Sequence, residues 1–154
     1  RTVTGVQTCA LPILLLMGDV LLASALGRLV FNLPFRGNYG LFLALSGIYV
    51  FVCIGIGMLL ATMARNQQQV VLISFFFNVP LIQLSGAIAP IESMPQFFQV
   101  LSFFNPLRHY VTIARSLILK GVGLSVLWGE GLTLMVFAAI FLTVSIRQFR
   151  AQLQ

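Results

Sequence analysis

The chain has 154 residues, of which 59% are hydrophobic and 8% are charged, and its formal net charge at pH 7 is +6. An ordinary soluble domain carries about 25% charged residues, so this composition excludes a soluble enzyme, a nucleic-acid-binding module and a disordered tail. The nine Lys and Arg residues lie mainly at the ends of apolar segments, where cations anchor helices at the membrane interface and set their topology. The composition therefore predicts an all-α integral membrane protein.

Residues 1–13 are considered separately from the rest, because residues 3–13 read VTGVQTCALPI. This string resembles, at every residue, the peptide that a common sequencing-library adapter encodes when it is translated in frame. We therefore expect residues 1–13 to be an assembly artefact and residues 14–154 to be the protein's own sequence. On this interpretation Cys9 carries no functional information, and Cys53 is a small packing residue inside an apolar segment.

Four apolar segments are each long enough to cross about 30 Å of hydrocarbon as a helix. They cover residues 13–31, 41–63, 70–89 and 124–146. Backbone polar groups in lipid must be satisfied within the segment, which favours four transmembrane helices. The second and third segments are joined by a short polar turn, so we expect them to form an antiparallel pair. That turn and the C-terminal tail then share one side of the membrane.

Residues 90–123 differ from these segments, because Asn105 and Pro106 divide them into two pieces that are too short to span. Asn105 is a predicted N-cap with Pro106 at the first helical position, and Gly121 is a predicted helix stop. An apolar stripe is predicted on the second piece by Leu107, Val111, Ala114 and Ile118. We predict interfacial or re-entrant helices before the last transmembrane helix.

The distribution of cations gives little information on orientation. The side with the polar turn and the C-terminal tail carries Arg65, Arg147 and Arg150, and the opposite side carries more cations. The positive-inside rule therefore slightly favours a C-terminus outside the cell. Because Arg108 and Arg115 lie on amphipathic helices rather than in simple loops, we give the count of cations little weight in assigning the orientation.

Small residues predict where the helices approach one another. Ala23 and Gly27 lie on the first segment, and Gly47, Gly57 and Ala61 lie on the second. Small residues four positions apart allow close contact between backbones in lipid. We expect these residues to face neighbouring helices.

Few residues could carry chemistry. Asp19 is the acidic residue that we place inside an apolar segment, where a role as ion ligand, proton relay or substrate contact is open. The alternatives are a plain helix-packing hydrogen bond and a position near the interface, since removal of the artefact shifts the start of the helix. His109 has no Cys, Asp or Glu at metal-ligand spacing. No glycine-rich nucleotide loop and no Ser–His–Asp arrangement can be assembled. The sequence therefore assigns no catalytic, cofactor-binding or metal-binding residue.

Pro80 interrupts the third apolar segment, because it removes the hydrogen bond to the Phe76 carbonyl and is predicted to kink the helix. Polar or small residues surround it, namely Asn78, Gln83, Ser85 and Gly86. Broken, polar helices at membrane depth usually line a protein interior or a watery path. A buried helix contact without a transport role is the alternative.

Residues 84–121, LSGAIAPIESMPQFFQVLSFFNPLRHYVTIARSLILKG, resemble the segment before the last helix of type-2 ATP-binding-cassette (ABC) exporter permeases. Residues 31–37 (FNLPFRG) and 65–69 (RNQQQ) are similar to the connectors of that family. The resemblance extends from about residue 14 to the C-terminus. Its matching features are Ser85–Gly86, residues 90–95 (PIESMP), Asn105–Pro106–Leu107, Arg115 and residues 119–121 (LKG).

The resemblance implies a six-helix permease of the bacterial inner membrane that pairs with a second permease copy and binds cytoplasmic ATPase domains. The chain is then expected to be a C-terminal fragment with the last four helices, and residues 90–123 lie on the outer face. ATP binds to the partner and not to this chain. The remaining expected contacts are with membrane lipid, and nucleic acid is not a partner.

The function expected on this basis is that of the permease subunit of an ATP-driven exporter. Ten residues are candidates for the translocation path or its gate: Asn78, Pro80, Gln83, Ser85, Gly86, Pro90, Glu92, Pro95, Asn105 and Arg115. A small structural or assembly membrane protein without transport activity is the alternative. A membrane-embedded transferase or protease is disfavoured, because Asp19, Glu92 and Glu130 supply no paired acidic site. The substrate cannot be inferred from the sequence.

Overall fold

The computed structural model describes residues 2–32, 34 and 36–152, and every regular element in these ranges is helical. A 3-10 turn at Ile91–Ser93 precedes α4, and a π-helical turn at Ser116–Lys120 follows α5. The six α-helices are α1 Thr2–Phe31, α2 Tyr39–Met63, α3 Gln67–Leu84, α4 Gln96–Phe103, α5 Pro106–Arg115 and α6 Leu124–Gln152.

Three described segments are long and apolar enough to cross a membrane: Ala10–Phe31, Tyr39–Met63 and Leu124–Gln148. The third predicted segment forms α3, which has 18 residues and begins with three glutamines. It is not among the three. The all-α, multi-pass membrane class is thus confirmed, whereas the count of four transmembrane helices stays a prediction.

The predicted end of the third segment was wrong, and two helices extend beyond the predicted apolar segments. Helix α1 begins at Thr2 rather than near residue 13 and continues through Pro12. Helix α3 ends at Leu84 rather than at residue 89, because the Ser85 hydroxyl bonds to the Ile82 carbonyl and Gly86 takes a left-handed φ of 77°. Helix α6 continues to Gln152 rather than stopping at residue 146, since Arg and Gln are good helix formers and no stop signal follows.

The centre of the bundle is the contact between α2 and α6. The Ser145 hydroxyl donates to the Gly55 carbonyl at 2.7 Å, and a Cβ on Gly55 would lie 2.9 Å from the Cβ of Phe141. The close approach therefore occurs at Gly55. The prediction that Gly47 and Gly57 face neighbouring helices was wrong for helices of this chain, because no described residue lies within 4 Å of a Cβ built on either.

A contact between distant parts of the chain identifies each end of the bundle. At the end that carries Arg65, which we call the turn end, the Thr62 hydroxyl lies 2.8 Å from the Oε1 of Gln148. The turn at residues 65–69 and the C-terminal part of α6 thus share one end, as the sequence predicted. At the opposite end, the hairpin end, the Arg36 N–H donates to the Ile118 carbonyl at 3.4 Å.

Candidate functional site

Helices α4 and α5 form a helical hairpin, residues 96–115, whose connection is held by Asn105. The Asn105 side chain accepts a hydrogen bond from the Leu107 N–H at 3.0 Å, which confirms the predicted N-cap. Its Nδ2 also donates to the Leu81 carbonyl at 2.7 Å. Leu81 lies in the last turn of α3, where carbonyls lack partners within the helix. One buried amide therefore begins α5 and binds the hairpin to α3.

Helix α5 begins inside the bundle and runs toward the hairpin end. The Tyr110 hydroxyl lies 3.0 Å from that of Ser46, and the Tyr110 ring stacks on Tyr49 with centroids 4.3 Å apart. Ser46 is about two turns from the start of α2. Burial raises the pKa of the Tyr110 hydroxyl, so this contact is between neutral groups. By Gly121, which has a φ of 63°, the chain has returned to the hairpin end beside Arg36.

The buried face of α5 differs from the predicted apolar stripe. Pro106, His109 and Ile113 are buried on it, and Ile113 is fully enclosed. The predicted stripe residues Leu107, Val111, Ala114 and Ile118 are each only partly buried. The prediction missed this rotation because it placed the apolar residues, and not His109, on the buried face.

His109 bridges α5 to α6 and to the end of α4. Its Nδ1 donates to the Glu130 carboxylate, and its Nε2 contacts the Phe103 carbonyl at 3.0 Å. His109 is only 7% exposed, and both of its ring nitrogens have a polar partner. Sequence reasoning missed this pair because the partner lies on another helix. One signal was available: Glu130 lies inside the fourth apolar segment, as Asp19 lies inside the first.

A cleft of about 330 Å³ opens between α5 and the loop that follows α3. It brings together five of the ten candidate path residues: Ser85, Gly86, Pro90, Glu92 and Arg115. Arg115 donates from Nη2 to the Ala87 carbonyl at 3.2 Å.

Arg108 lies on the same wall of the cleft. Its guanidinium carbon lies 4.0 Å from the centroid of the Phe103 ring, and its Nη1 donates to the Gln99 carbonyl and the Ser102 hydroxyl. The cleft is polar, and its walls carry both signs of charge.

The remaining candidate residues lie away from the cleft lining. Asn78, Pro80 and Gln83 are exposed on α3, and the Asn78 Nδ2 donates to the Ser74 carbonyl at 2.9 Å. Pro95 is exposed at the start of α4. Asn105 is buried below the cleft rather than lining it.

Two other sequence features also lie apart from the cleft. Asp19 is exposed on α1, and no residue in the described ranges hydrogen-bonds to its carboxylate. Within the FNLPFRG motif at residues 31–37, Leu33 and Phe35 lie outside the described residues.

The sequence profile of the ABC-2 type transporter family matches residues 3–119. The chain is 33% identical over 126 residues to the probable multidrug ABC transporter permease YbhR of Escherichia coli K12, which covers 82% of this chain and 34% of that protein. It is also 33% identical over 121 residues to the inner membrane transport permease YhhJ of the same organism, over 79% of this chain and 32% of that protein.

A more distant similarity is to the ABC transporter G family member 20 of Dictyostelium discoideum, at 31% identity over 74% of this chain and 15% of that protein. No solved structure matches the chain. The chain spans about a third of the length of the bacterial relatives named above. These similarities and the three long apolar helices confirm the predicted resemblance and the multi-pass, inner-membrane location.

Proposed function

The chain belongs to the ABC-2 type transporter family, and on that premise we propose that it forms part of the transmembrane permease subunit of an ATP-driven exporter. ATP hydrolysis takes place on a partner subunit or domain, and a second permease copy completes the translocation path. The permease alternates between inward-open and outward-open states. Both partners follow from the resemblance of residues 84–121 to exporter permeases.

The observation that carries this proposal is the position of α5. It packs against both α2 and α6, and its Ile113 and the following Leu117 are fully buried in the core that those helices form. A short helix that enters the bundle and returns to the same end is a re-entrant element, and it closes that end without crossing. We propose that the hairpin at residues 96–115 gates the outer end of the path.

The proposed orientation places the turn end in the cytoplasm. Arg65 and Arg147 lie at that end, where they face anionic lipid and the ATPase partner. The hairpin end is then outside. The family resemblance supports this orientation although the cation count slightly favours the reverse.

The proposed substrates are small molecules rather than polysaccharides. Support comes from the names of two relatives, the probable multidrug ABC transporter permease YbhR and the linearmycin resistance permease protein LnrN of Bacillus subtilis. Asn78 and Gln83 on α3 stay candidate path residues, as polar groups among the apolar residues that follow its first turn.

Export is tested in cells that express the permease with its ATPase partner, by following the accumulation of a panel of chemically distinct dyes and antibiotics. We expect at least one compound to accumulate less, and the difference to vanish when the phosphate-binding lysine of the partner is replaced. A permease that inserts normally but lowers no accumulation in any energised condition would favour the structural or assembly role instead.

A further inference from the structure

The cleft beside α5 presents two guanidinium groups with donors to spare. Arg108 uses only Nη1 toward the protein, and Arg115 uses only Nη2. Each guanidinium has five N–H donors in a planar fork, so several donors on each remain without a protein acceptor among the described residues. Arginine forks of this kind match the oxygens of a phosphate or a carboxylate.

The same cleft carries a negative charge at a separate point of its wall. Glu92 lies on the 3-10 turn before α4, is exposed and lines the cleft. Among the described residues His109 forms an ion pair with Glu130, whereas Glu92 forms none with either arginine. Charges of opposite sign thus face one cavity without neutralising each other.

The size of the cleft limits what it holds. At about 330 Å³ it is at the small end of the range for ligand pockets, which is about 300–1,000 Å³. It fits a polar headgroup rather than a whole lipid.

The surroundings of the cleft are apolar. Phe103 and Val111 are part of its lining, and the exposed side chains of Ile88 and Phe104 belong to the segments beside it. The position, at one end of a membrane-spanning bundle, is that of the lipid headgroup layer.

We propose that this cleft binds the headgroup of an aminophospholipid. The phosphate accepts hydrogen bonds from Arg108 and Arg115, and the primary ammonium donates to the Glu92 carboxylate. A glycerol headgroup has no cation for Glu92, and a choline headgroup has no N–H to donate. The cleft therefore selects phosphatidylethanolamine over both of the lipids that carry those headgroups.

The test uses the 154-residue chain in bilayers of equal parts phosphatidylethanolamine, phosphatidylglycerol and phosphatidylcholine with identical acyl chains. After release into mild detergent, retained lipids are counted by native mass spectrometry. We expect phosphatidylethanolamine to be retained in preference to the other two. Arg115→Gln should lower its retention about tenfold, the effect of losing one hydrogen bond to a charged group. Glu92→Gln should keep phospholipid bound but remove the preference for ethanolamine over glycerol.

Lys120→Gln is the matched control, because Lys120 is an exposed cation on the π-helical turn and does not line the cleft. Circular dichroism confirms that each variant stays helical, and Arg115→Lys provides a milder change that keeps the charge but loses the fork. Equal retention of all three lipids, or equal effects of Arg115→Gln and Lys120→Gln, would overturn the proposal. Displacement of the lipid by an equal concentration of soluble glycerophosphoethanolamine would overturn the proposal that the ligand is a membrane lipid rather than a soluble phosphate compound. The assay needs no transport, so its failure leaves the proposed export function untouched.

Discussion

Buried His109 and its half-buried partner Glu130 show how polar groups specify the packing of this bundle. In hydrocarbon a polar atom without a partner costs several kcal/mol, and no buried side-chain nitrogen or oxygen in the described ranges lacks a hydrogen bond. His109 joins α5 to α6 and to the end of α4, while Asn105 joins α5 to α3. Two side chains four positions apart thus connect one short helix to three others.

Removal of the carboxylate at Glu130 tests the contribution of this pair. We expect Glu130→Ala to lower the free energy of unfolding by about 1–3 kcal/mol, because the buried His109 nitrogen loses its acceptor. Glu130→Gln should cost less, since its amide carbonyl can still accept. Helicity followed during SDS titration gives the measurement. Glu92→Ala is the control and should change the free energy of unfolding little, because Glu92 is exposed and unpaired in the described part of the chain. An equal loss in both alanine variants would show that the contact between His109 and Glu130 does not stabilise the bundle.

The two hydrogen bonds of Asn105 can be separated. Asn105→Asp keeps the oxygen that caps α5 but loses the donor to the Leu81 carbonyl, whereas Asn105→Ala loses both. We expect the alanine variant to lose about 0.5–2 kcal/mol for the cap alone, and more in total than the aspartate variant. Thermal unfolding in detergent distinguishes the two. Equal melting temperatures for both variants would show that the cap contributes nothing, and an aspartate variant that melts at the wild-type temperature would show that the bond to α3 contributes nothing.

At the scale of single residues, the sequence predicted what is local. The cap by Asn105 and the stop at Gly121 depend on neighbouring positions and on φ, and both are confirmed. The donor from Asn105 to Leu81 spans 24 positions, and the His109 partner lies 21 positions away. Such contacts depend on how helices pack, which residue spacing within one helix does not specify.

At the scale of the helices, the contact between α2 and α6 requires glycine at a single position. Gly55 presses against the backbone of Phe141 and Leu142. Gly57, two residues away, faces open space and is exposed. Glycine is frequent throughout α2, so the sequence could not show which of the two glycines lies at the helix contact. The direction in which each residue faces distinguishes them.

Alanine substitutions at these two glycines form a matched pair. Gly55→Ala should lower the free energy of unfolding by about 1–3 kcal/mol through overpacking. Gly57→Ala should raise it by up to about 1 kcal/mol, since alanine is the better helix former. Thermal denaturation in the same detergent measures both. A stabilised Gly55→Ala variant would show that the helices do not pack at this position.

Polar residues explain why α3 and α6 end at other positions than the apolar segments. The sequence contains an apolar run to residue 89, but Ser85 and Gly86 end α3 five residues earlier. Arg147 and Gln148 were interpreted as the end of an apolar span, yet they continue α6 as helix. Hydropathy reports where a segment can lie in lipid, while backbone geometry decides where the helix ends.

At the scale of the whole molecule, the turn end and the hairpin end must lie on opposite sides of the membrane. The sequence predicted which connections share a side, and the contact of Thr62 with Gln148 agrees. The cations at the two ends do not decide which side is cytoplasmic. Part of the proposed path could not be assigned either, because Asn78 and Gln83 face outward from this chain.

Cysteine accessibility tests the proposed orientation. In a background with Cys9 and Cys53 replaced by serine, cysteines at Gln68 and Gln152 should resist a membrane-impermeant thiol reagent in intact cells. A cysteine at Ser93, an exposed residue of the hairpin end, should react. All three should react after the membrane is opened with detergent. Labelling of residues 68 and 152 from outside, with Ser93→Cys protected, would invert the topology.

The gating role proposed for the hairpin end is tested most directly at Gly86. Gly86 has a φ of 77°, and a Cβ there would lie 2.9 Å from the Ile91 Cγ1. A leucine in this conformation costs about 1–3 kcal/mol. Gly86→Leu is therefore expected to shift the loop that follows α3, which lines the cleft beside the hairpin.

The deciding measurement is the initial rate of substrate efflux in cells with the ATPase partner, compared at equal amounts of inserted permease. We expect Gly86→Leu to lower the rate about tenfold, the effect of roughly 1.4 kcal/mol on a barrier. Pro95→Ala should also lower it, and Glu92→Gln should leave it near the wild-type rate. Efflux by Gly86→Leu at the wild-type rate would contradict the gate.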